Sequence, residues 1–328
     1  MKLCLIGCGE HATSSHGPAL GAYRSAHPDL VLAACCDVEP SRASAFAAAF
    51  GFARTHADAA AMLEAERPDV VVLVVPDTRT TELACLVLSA GLPLLLEKPP
   101  GRSVADVDRM LAAARRPDGS CVPHQVAFNR RHAPLVRALR DRLDALGGPS
   151  ALQHVGYEMV RVNRRDPDFS TTAIHGIDAV RHIAAADYHE GRVRYQELPA
   201  LGQGVADIFI DAVLTSGATA HLSFCPVAGA VVERACVHAF DHTFFLEVPM
   251  WSGFDAPGRL QHLERGRLVE ELVGERTESF VQGGFAAEVA AFLDAVRNGG
   301  VPAPGLAETR QSLEVACMLR QRREEFRA

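Results

Sequence analysis

The first 125 residues alternate short apolar runs with helical stretches, and this alternation restricts the possible folds more than any other feature. Runs that are apolar at every position are typical of strands covered on both faces, as in a parallel sheet. The predicted strands are Lys2–Ile6, Leu30–Cys36, Val70–Val75, Pro93–Leu96 and Cys121–Ala127. The predicted helices are Pro18–Ser25, Ser41–Ala49, Ala59–Glu64, Thr81–Ala90 and Val104–Ala114. Alternating strands and helices indicate βαβ units and a doubly wound parallel sheet.

The pattern changes after residue 125. Predicted elements here are a helix at Pro134–Leu146, a strand at Leu152–Val162 and a helix at Thr172–Ala184. Strand-like runs then recur between Val193 and Val273, with Gly, Ser, Asp or Pro in their turns. Two helices follow, at Phe285–Arg297 and Leu306–Arg322. We therefore predict a second α/β domain, residues 126–328, with a mostly antiparallel open sheet.

Charge and composition argue against several classes of protein. The net charge is −7 and no run of Lys or Arg forms a basic stripe, so we expect no nucleic-acid partner. No apolar run reaches the roughly 18 residues of a membrane span, and the N-terminus lacks a signal-peptide pattern. The nine cysteines form no CxxC pair, which favours buried thiols over metal ligands or disulfides. We expect a cytoplasmic protein without a membrane partner or a bound metal.

A glycine-rich turn follows the first predicted strand directly. Gly7-Cys8-Gly9-Glu10-His11-Ala12 fits the pattern GxGxxA between a strand and a helix. The first glycine of such a turn permits a tight bend, and the second lets the backbone approach a pyrophosphate at a helix N-terminus. The motif alone is weak, and a strand–turn–helix with chance glycines is the alternative. Its position at the first strand of an alternating pattern predicts a Rossmann dinucleotide site.

Asp37 stands where the second predicted strand ends. An acid at this position accepts hydrogen bonds from the adenosine ribose hydroxyls and repels a 2′-phosphate. No arginine follows it immediately, since the next residue is Val38. We therefore predict NAD in preference to NADP, with a helix-capping role for Asp37 as the alternative.

Several further motifs have an order and spacing similar to those of a known family. They are Val75-Pro76-Asp77, Glu97-Lys98-Pro99, Phe128-Asn129-Arg130-Arg131 and Ile174-His175-Gly176-Ile177-Asp178. Together with the GCGEHA turn and Asp37, they resemble the Gfo/Idh/MocA dehydrogenases over nearly the whole chain. The resemblance implies a Rossmann domain, here residues 1–125, and a substrate-binding domain, here 126–328, whose open sheet often forms a homo-oligomer interface. A dimer or tetramer is therefore expected.

The resemblance also implies roles for individual residues. Lys98 would contact the substrate hydroxyl near the nicotinamide, a cis Lys98–Pro99 bond would aim the lysine, and His175 would be the acid/base. The expected cofactor-binding residues are Gly7, Cys8, Gly9, Glu10, His11, Asp37, Val75, Pro76, Glu97 and Lys98. The expected substrate-binding residues are Asn129, Arg130, Tyr157, Thr171, Thr172 and Asp178.

Hydride transfer from an alcohol carbon requires loss of the hydroxyl proton, which a side chain with a pKa near the working pH accepts best. Histidine qualifies unaided, and a lysine qualifies where burial or a neighbouring positive charge lowers its pKa. Lys98 as polarising group and His175 as proton acceptor form a chemically sensible pair. The alternatives are a surface lysine and a hydrogen-bonded core histidine.

One position departs from the family pattern. Many members have Asp four residues before the histidine, where this chain has Thr171. A hydroxyl cannot hold a negative charge, so Asp168 or Asp178 is a candidate substitute, with a structural Asp178 as the alternative. We predict an NAD(P)-dependent oxidoreductase acting on a sugar, sugar derivative or cyclitol. An NAD-retaining glycosidase and a cofactor-binding protein with impaired catalysis remain alternatives, and Thr171 favours the latter.

Overall fold

The computed structural model describes residues 1–251 and 253–327, which form two compact units. The first comprises Met1–Phe128 and Phe285–Leu313, and the second comprises Asn129–Gly284 and the residues from Glu314 onward. The segment Phe285–Leu313, which we had assigned to the second domain, therefore packs with the first. Its contacts include a hydrogen bond of 2.6 Å from the Tyr23 hydroxyl to Asp294. Such long-range pairing leaves no signal in the local pattern.

The first unit contains a six-stranded sheet whose strands are all parallel. Its strands are β1 (Lys2–Ile6), β2 (Val31–Cys36), β3 (Arg54–His56), β4 (Val70–Leu73), β5 (Leu94–Glu97) and β6 (His124–Ala127). Their spatial order is β3-β2-β1-β4-β5-β6. This order confirms the doubly wound Rossmann prediction, and ligands bind such sheets where the order reverses, at β1 and β4. Strand β3 was not predicted, because its three polar residues form no apolar run.

Five helices connect these strands. They are α1 (Gly17–Ala26), α2 (Pro40–Phe50), α3 (Ala59–Glu66), α4 (Asp77–Ser89) and α5 (Val104–Ala114). One turn of π-helix, Ala12–His16, leads directly into α1. Helix α4 begins four residues before the predicted start, with the acidic Asp77 in its first turn, where a negative charge is favourable.

The second unit is built on a nine-stranded sheet. Its strands are β7 (Leu152–Val160), β8 (Tyr188–Glu197), β9 (Ala206–Leu214), β10 (Thr219–Cys225), β11 (Val232–Ala239), β12 (His242–Glu247), β13 (Arg259–Glu264), β14 (Arg267–Val273) and β15 (Glu325–Arg327). The order is β14-β13-β12-β11-β7-β10-β9-β8-β15, and β7 with β10 is the parallel pair. The mostly antiparallel sheet is confirmed. The polar strands β13 and β15 were not predicted.

The remaining helices are α6 (Pro134–Ala145), α7 (Ser170–Ala184), α8 (Ser279–Gln282), α9 (Phe285–Arg297) and α10 (Leu306–Arg320). Helix α7 packs on β7 and β10, and α6 packs on β12 and β13. In β7 the residues alternate between buried Val155, Tyr157 and Met159 and more exposed neighbours, as expected for a sheet covered by helices. Across the described ranges, no helix combines the length and apolar character needed to cross a bilayer.

Candidate functional site

The glycine-rich turn lies at the carboxyl end of β1. Gly7 has φ of +95°, and a Cβ at this position would lie 1.9 Å from the carbonyl oxygen of Val74. Only glycine fits this close approach of two neighbouring strands. A Cβ on Gly9, in contrast, would meet nothing within 4 Å. The backbone of Gly9 therefore borders open space, as a turn that approaches a pyrophosphate requires.

Asp37 follows β2 and bonds to the same turn. Its Oδ2 accepts the backbone N–H of Cys8 at 2.8 Å, and its Oδ1 accepts that of Glu39 at 2.9 Å. Each carboxylate oxygen has two lone pairs, so each can still accept a second hydrogen bond. Asp37 thus braces the glycine-rich turn and keeps acceptor capacity for a pair of hydroxyl groups. The Cys8 side chain is buried, and Glu10 is exposed.

A cavity of about 1130 Å³ opens beside these residues, entirely within the first unit. It is lined by five of the predicted cofactor-binding residues, Gly7, Gly9, Asp37, Val75 and Pro76. The wall also includes residues that sequence reasoning missed, among them Arg42, Asp58, Arg79, Leu83 and Leu86. The volume slightly exceeds the roughly 300–1,000 Å³ of most small-molecule sites, so the cavity is large enough for a dinucleotide.

Glu97 ends β5 and lies buried in the first unit. Its Oε1 accepts Nε2–H of His16 at 2.7 Å and Nε2–H of His11 at 2.9 Å. Its Oε2 accepts the backbone N–H of Lys98 at 3.0 Å. Burial raises the pKa of the Glu97 carboxyl, but the charge and hydrogen bonds of His11 and His16 outweigh burial and hold this pKa well below its ordinary value. Glu97 is therefore a carboxylate, and it links the π-helical turn to Lys98.

Lys98 is half-buried and precedes a cis peptide bond to Pro99, as the resemblance implied. The chain contains only two lysines, and the other is Lys2. Lys2 lies on β1, with its Nζ 3.3 Å from Glu66. All other basic side chains except histidine are arginines. The rarity of lysine in this chain adds to the motif spacing as a reason to single out Lys98.

His175 lies within α7 of the second unit and is buried. Thr171 and Thr172, in the first turn of α7, are half-buried. The Thr172 hydroxyl accepts a hydrogen bond of 3.1 Å from Arg164. The two aspartates proposed as substitutes for the missing acid are already engaged. Asp178 binds Arg131 through two hydrogen bonds of 2.7 and 2.8 Å, and Asp168 accepts one of 2.6 Å from Arg320.

Two predicted substrate-binding residues, Arg130 and Tyr157, bind a side chain that was not predicted, and the third, Asn129, accepts a hydrogen bond from Arg130. Glu233 is fully buried and accepts Arg130 Nε at 2.9 Å and the Tyr157 hydroxyl at 2.5 Å. Arg161 binds its other oxygen. Burial opposes ionisation of Glu233, but the two guanidinium groups hold its pKa well below the ordinary value. These bonds favour a structural role, and substrate contact by these residues stays a prediction.

Comparison with known proteins agrees with this geometry. Residues 1–123 match a family described as an oxidoreductase family with an NAD-binding Rossmann fold. D-apiose dehydrogenase of Paraburkholderia graminis is 36% identical over 152 residues, 45% of this chain and 38% of that protein. D-glucoside 3-dehydrogenase of Escherichia coli is 34% identical over 143 residues, 44% of this chain and 39% of that protein. The matched segments thus span about two fifths of the length of these relatives.

The fold extends further than the sequence similarity. A solved structure of UDP-N-acetylglucosamine 3-dehydrogenase from Acidithiobacillus ferrooxidans has a TM-score of 0.80 to this chain at 21% identity. The superposition covers 98% of this chain and 97% of that one. At this identity the likeness establishes a shared fold across both units.

Proposed function

We propose that this chain, which belongs to the Gfo/Idh/MocA family, is an NAD(P)-dependent oxidoreductase acting on a hydroxyl or keto carbon of a sugar, sugar derivative or cyclitol. One observation carries the proposal. Lys98 directly follows β5, at the same carboxyl edge of the parallel sheet as the Gly7–Gly9 turn and the cavity beside it. A lysine at that edge can reach a substrate placed against a dinucleotide bound there.

The residues present can perform the chemistry that this activity requires. A bound nicotinamide would accept or donate the hydride. Asp37 would hold the adenosine ribose through its remaining lone pairs, and the backbone at Gly9 would lie against the pyrophosphate. Lys98 would donate a hydrogen bond to the substrate oxygen and stabilise the negative charge that develops there. His175 would accept the hydroxyl proton during oxidation and return it during reduction.

For the cofactor, we propose NAD in preference to NADP. Asp37 presents a negative charge where the 2′-phosphate of NADP would lie. Arg42 lines the same cavity and is the nearest cation along the chain that could accept such a phosphate. Asp37 therefore favours NAD, whereas Arg42 favours NADP. Hydrogen bonds from the backbone N–H groups of Cys8 and Glu39 hold Asp37 in place. This fixed position favours Asp37 as the deciding group.

A cofactor-binding protein with impaired turnover is the second candidate, and a specific observation favours it. Thr171 occupies the position of the family's acid, and the two nearby aspartates are committed to Arg131 and Arg320. If this candidate holds, Thr171→Asp will raise turnover from none to a measurable rate.

Cofactor titration and a paired lysine substitution test the leading proposal. NADH and NADPH are titrated by fluorescence, and net NADH formation is followed with a panel of sugars and cyclitols. We expect tighter binding of NADH and turnover with at least one compound. Lys98→Ala should lower kcat by about 100-fold or more, because it removes charge stabilisation at the reacting oxygen, and should change the Kd for NADH by less than about threefold.

The matched control is Lys2→Ala, which removes the only other lysine and should leave turnover unchanged. Equal turnover of Lys98→Ala and wild type would refute the role of Lys98. Tighter binding of NADPH than of NADH would refute the proposed role of Asp37 in selecting NAD. Cleavage of glycosides without net NADH formation would show that the protein is a glycosidase and not a dehydrogenase.

A further inference from the structure

Two histidines converge on one oxygen atom at the start of the cofactor-binding unit. His11 and His16 both place Nε2 within hydrogen-bond distance of Oε1 of Glu97. The imidazole rings also meet the ring of Phe285 edge-on, with centroids 5.5 and 5.9 Å away. His16 is fully buried, and His11 is about half-exposed. Neither the proposed reaction nor the dinucleotide site accounts for this arrangement.

The π-helical turn explains how both histidines reach the same atom. Residues five apart on an α-helix point about 140° away from each other, because each residue turns the helix by about 100°. In the turn Ala12–His16, the N–H of Gly17 instead bonds to the carbonyl of Ala12, five residues earlier. This wider turn brings residues five apart closer to the same side of the helix. The distortion therefore brings His11 and His16 to one face of the helix.

The ligand atoms of His11, His16 and Glu97 lie within 4.8 Å of one another, so a metal site must be considered. A histidine that binds a metal through Nε2 carries its proton on Nδ1 and normally donates it to a neighbouring acceptor. Nδ1 of His16 is buried and has no hydrogen-bond partner among the described residues. A proton there would be buried and unpaired, which is unfavourable. The geometry therefore fits a His16 that donates Nε2–H to Glu97 and does not bind a metal through Nε2.

The other oxygen of Glu97 links the two histidines to Lys98, the proposed reacting residue. Oε2 accepts the backbone N–H of Lys98, so the carboxylate is held at one oxygen by two rings and holds the lysine backbone with the other. A carboxylate with one donor can rotate about its last bond. Three donors on two oxygens remove that freedom and fix the plane of the group.

We infer that His11 and His16 are positioning residues for Lys98, acting through Glu97. The inference rests on the proposed role of Lys98 as the group that contacts the substrate oxygen. Displacement of a reacting group by about 1 Å costs about 100-fold in rate, so loss of these donors should lower kcat more than it changes cofactor affinity. His16, the buried donor with the shorter bond, should have the larger effect.

Paired substitutions separate positioning from folding. Gln keeps an N–H donor at both positions, whereas Leu removes it. We expect His16→Leu to lower kcat by about 100-fold and His11→Leu by about 10-fold, with the Kd for NADH within about threefold of wild type. The Gln variants should recover most of the lost kcat. His27→Leu, at the other end of α1, is the matched control and should keep the wild-type rate.

A second readout does not depend on turnover. Because Lys2 and Lys98 are the only lysines, acetylation of each amine by acetic anhydride can be followed by peptide mass spectrometry in the complete protein. The ratio of the Lys98 rate to the Lys2 rate should change by at least about threefold in the Leu variants and return towards wild type in the Gln variants.

The two readouts distinguish failure of this inference from failure of the proposed function. If no sugar or cyclitol is turned over but the acetylation ratio responds as stated, the positioning holds and the function is wrong. Folded His11→Leu and His16→Leu proteins with wild-type kcat and an unchanged ratio would overturn the inference. Gln variants that fail to recover either quantity would do the same, as would loss of activity on removal of metal ions with a chelator.

Discussion

Glu97 in the first unit and Glu233 in the second are buried carboxylates that stay ionised, and they are stabilised in different ways. Glu97 accepts hydrogen bonds from two histidines through Oε1 and from the backbone N–H of Lys98 through Oε2. Glu233 is held by two arginines and a tyrosine, all within the second unit. Arginine keeps its charge at every accessible pH, whereas histidine donates while neutral. The first arrangement suits a group that orients a reacting residue, and the second suits a group that fixes a fold.

Histidines of the two units differ in their charged neighbours. His16 lies against a carboxylate. His132 and His182 of the second unit lie near Arg131, and burial together with that positive charge lowers their pKa values to about 4 and about 3. A histidine beside an anion donates a hydrogen bond to it, whereas neighbouring cations lower the pKa of a histidine.

The largest expected effect is on the stability of the second unit. Glu233→Gln removes the buried negative charge that the guanidinium groups of Arg130 and Arg161 bind. Such a change typically costs about 3–5 kcal/mol, and chemical denaturation should show this loss. The matched control, Glu270→Gln, removes the partner of Arg142 in a more exposed pair and should cost at most about 1 kcal/mol. Equal effects of the two substitutions would contradict the structural role of Glu233.

Glu97→Gln should affect rate more than stability. The amide oxygen can still accept from a histidine and no arginine is left unpaired, so we expect a loss of about 1–3 kcal/mol in the free energy of unfolding. The orientation of Lys98 should be lost, and kcat should fall by about 100-fold. Steady-state kinetics and denaturation of the same preparation measure both quantities. A stability loss equal to that of Glu233→Gln, without a fall in kcat, would remove the distinction between the two carboxylates.

The smallest expected effect is a pH dependence from His132. The unfolded chain binds a proton on this residue near pH 6.5, but the folded protein does so only near pH 4. The unfolded state therefore binds more protons between these values, and stability falls as the pH falls through this window. His132 should contribute a loss of about 2 kcal/mol between pH 8 and pH 5. Denaturation of His132→Gln across this range should show a shallower decline, and an unchanged decline would show that His132 does not contribute.

Much of the first unit follows from short-range pattern. Five of the six parallel strands lie where apolar runs predicted them, because strands buried on both faces must be apolar throughout. Gly7, Gly9 and Asp37 line the cavity at the predicted dinucleotide site, because the motif encodes a local turn whose chemistry does not depend on distant residues. The polar strands β3, β13 and β15 were not predicted, because their pairing with neighbouring strands and not their composition makes them strands.

The amino-acid order by itself determined the Rossmann sheet, its glycine-rich turn and the lysine that follows β5, since each depends on residues adjacent along the chain. Only the tertiary structure decided that Phe285–Leu313 joins the first unit, that Glu233 gathers Arg130 and Tyr157, and that His16 meets Glu97. The hydrogen bonds that make these contacts join residues 76 to 271 positions apart along the chain. The contact of His16 with Glu97 also involves a π-helical turn. Periodicity reports which face of an element is buried but not which distant side chain it will meet.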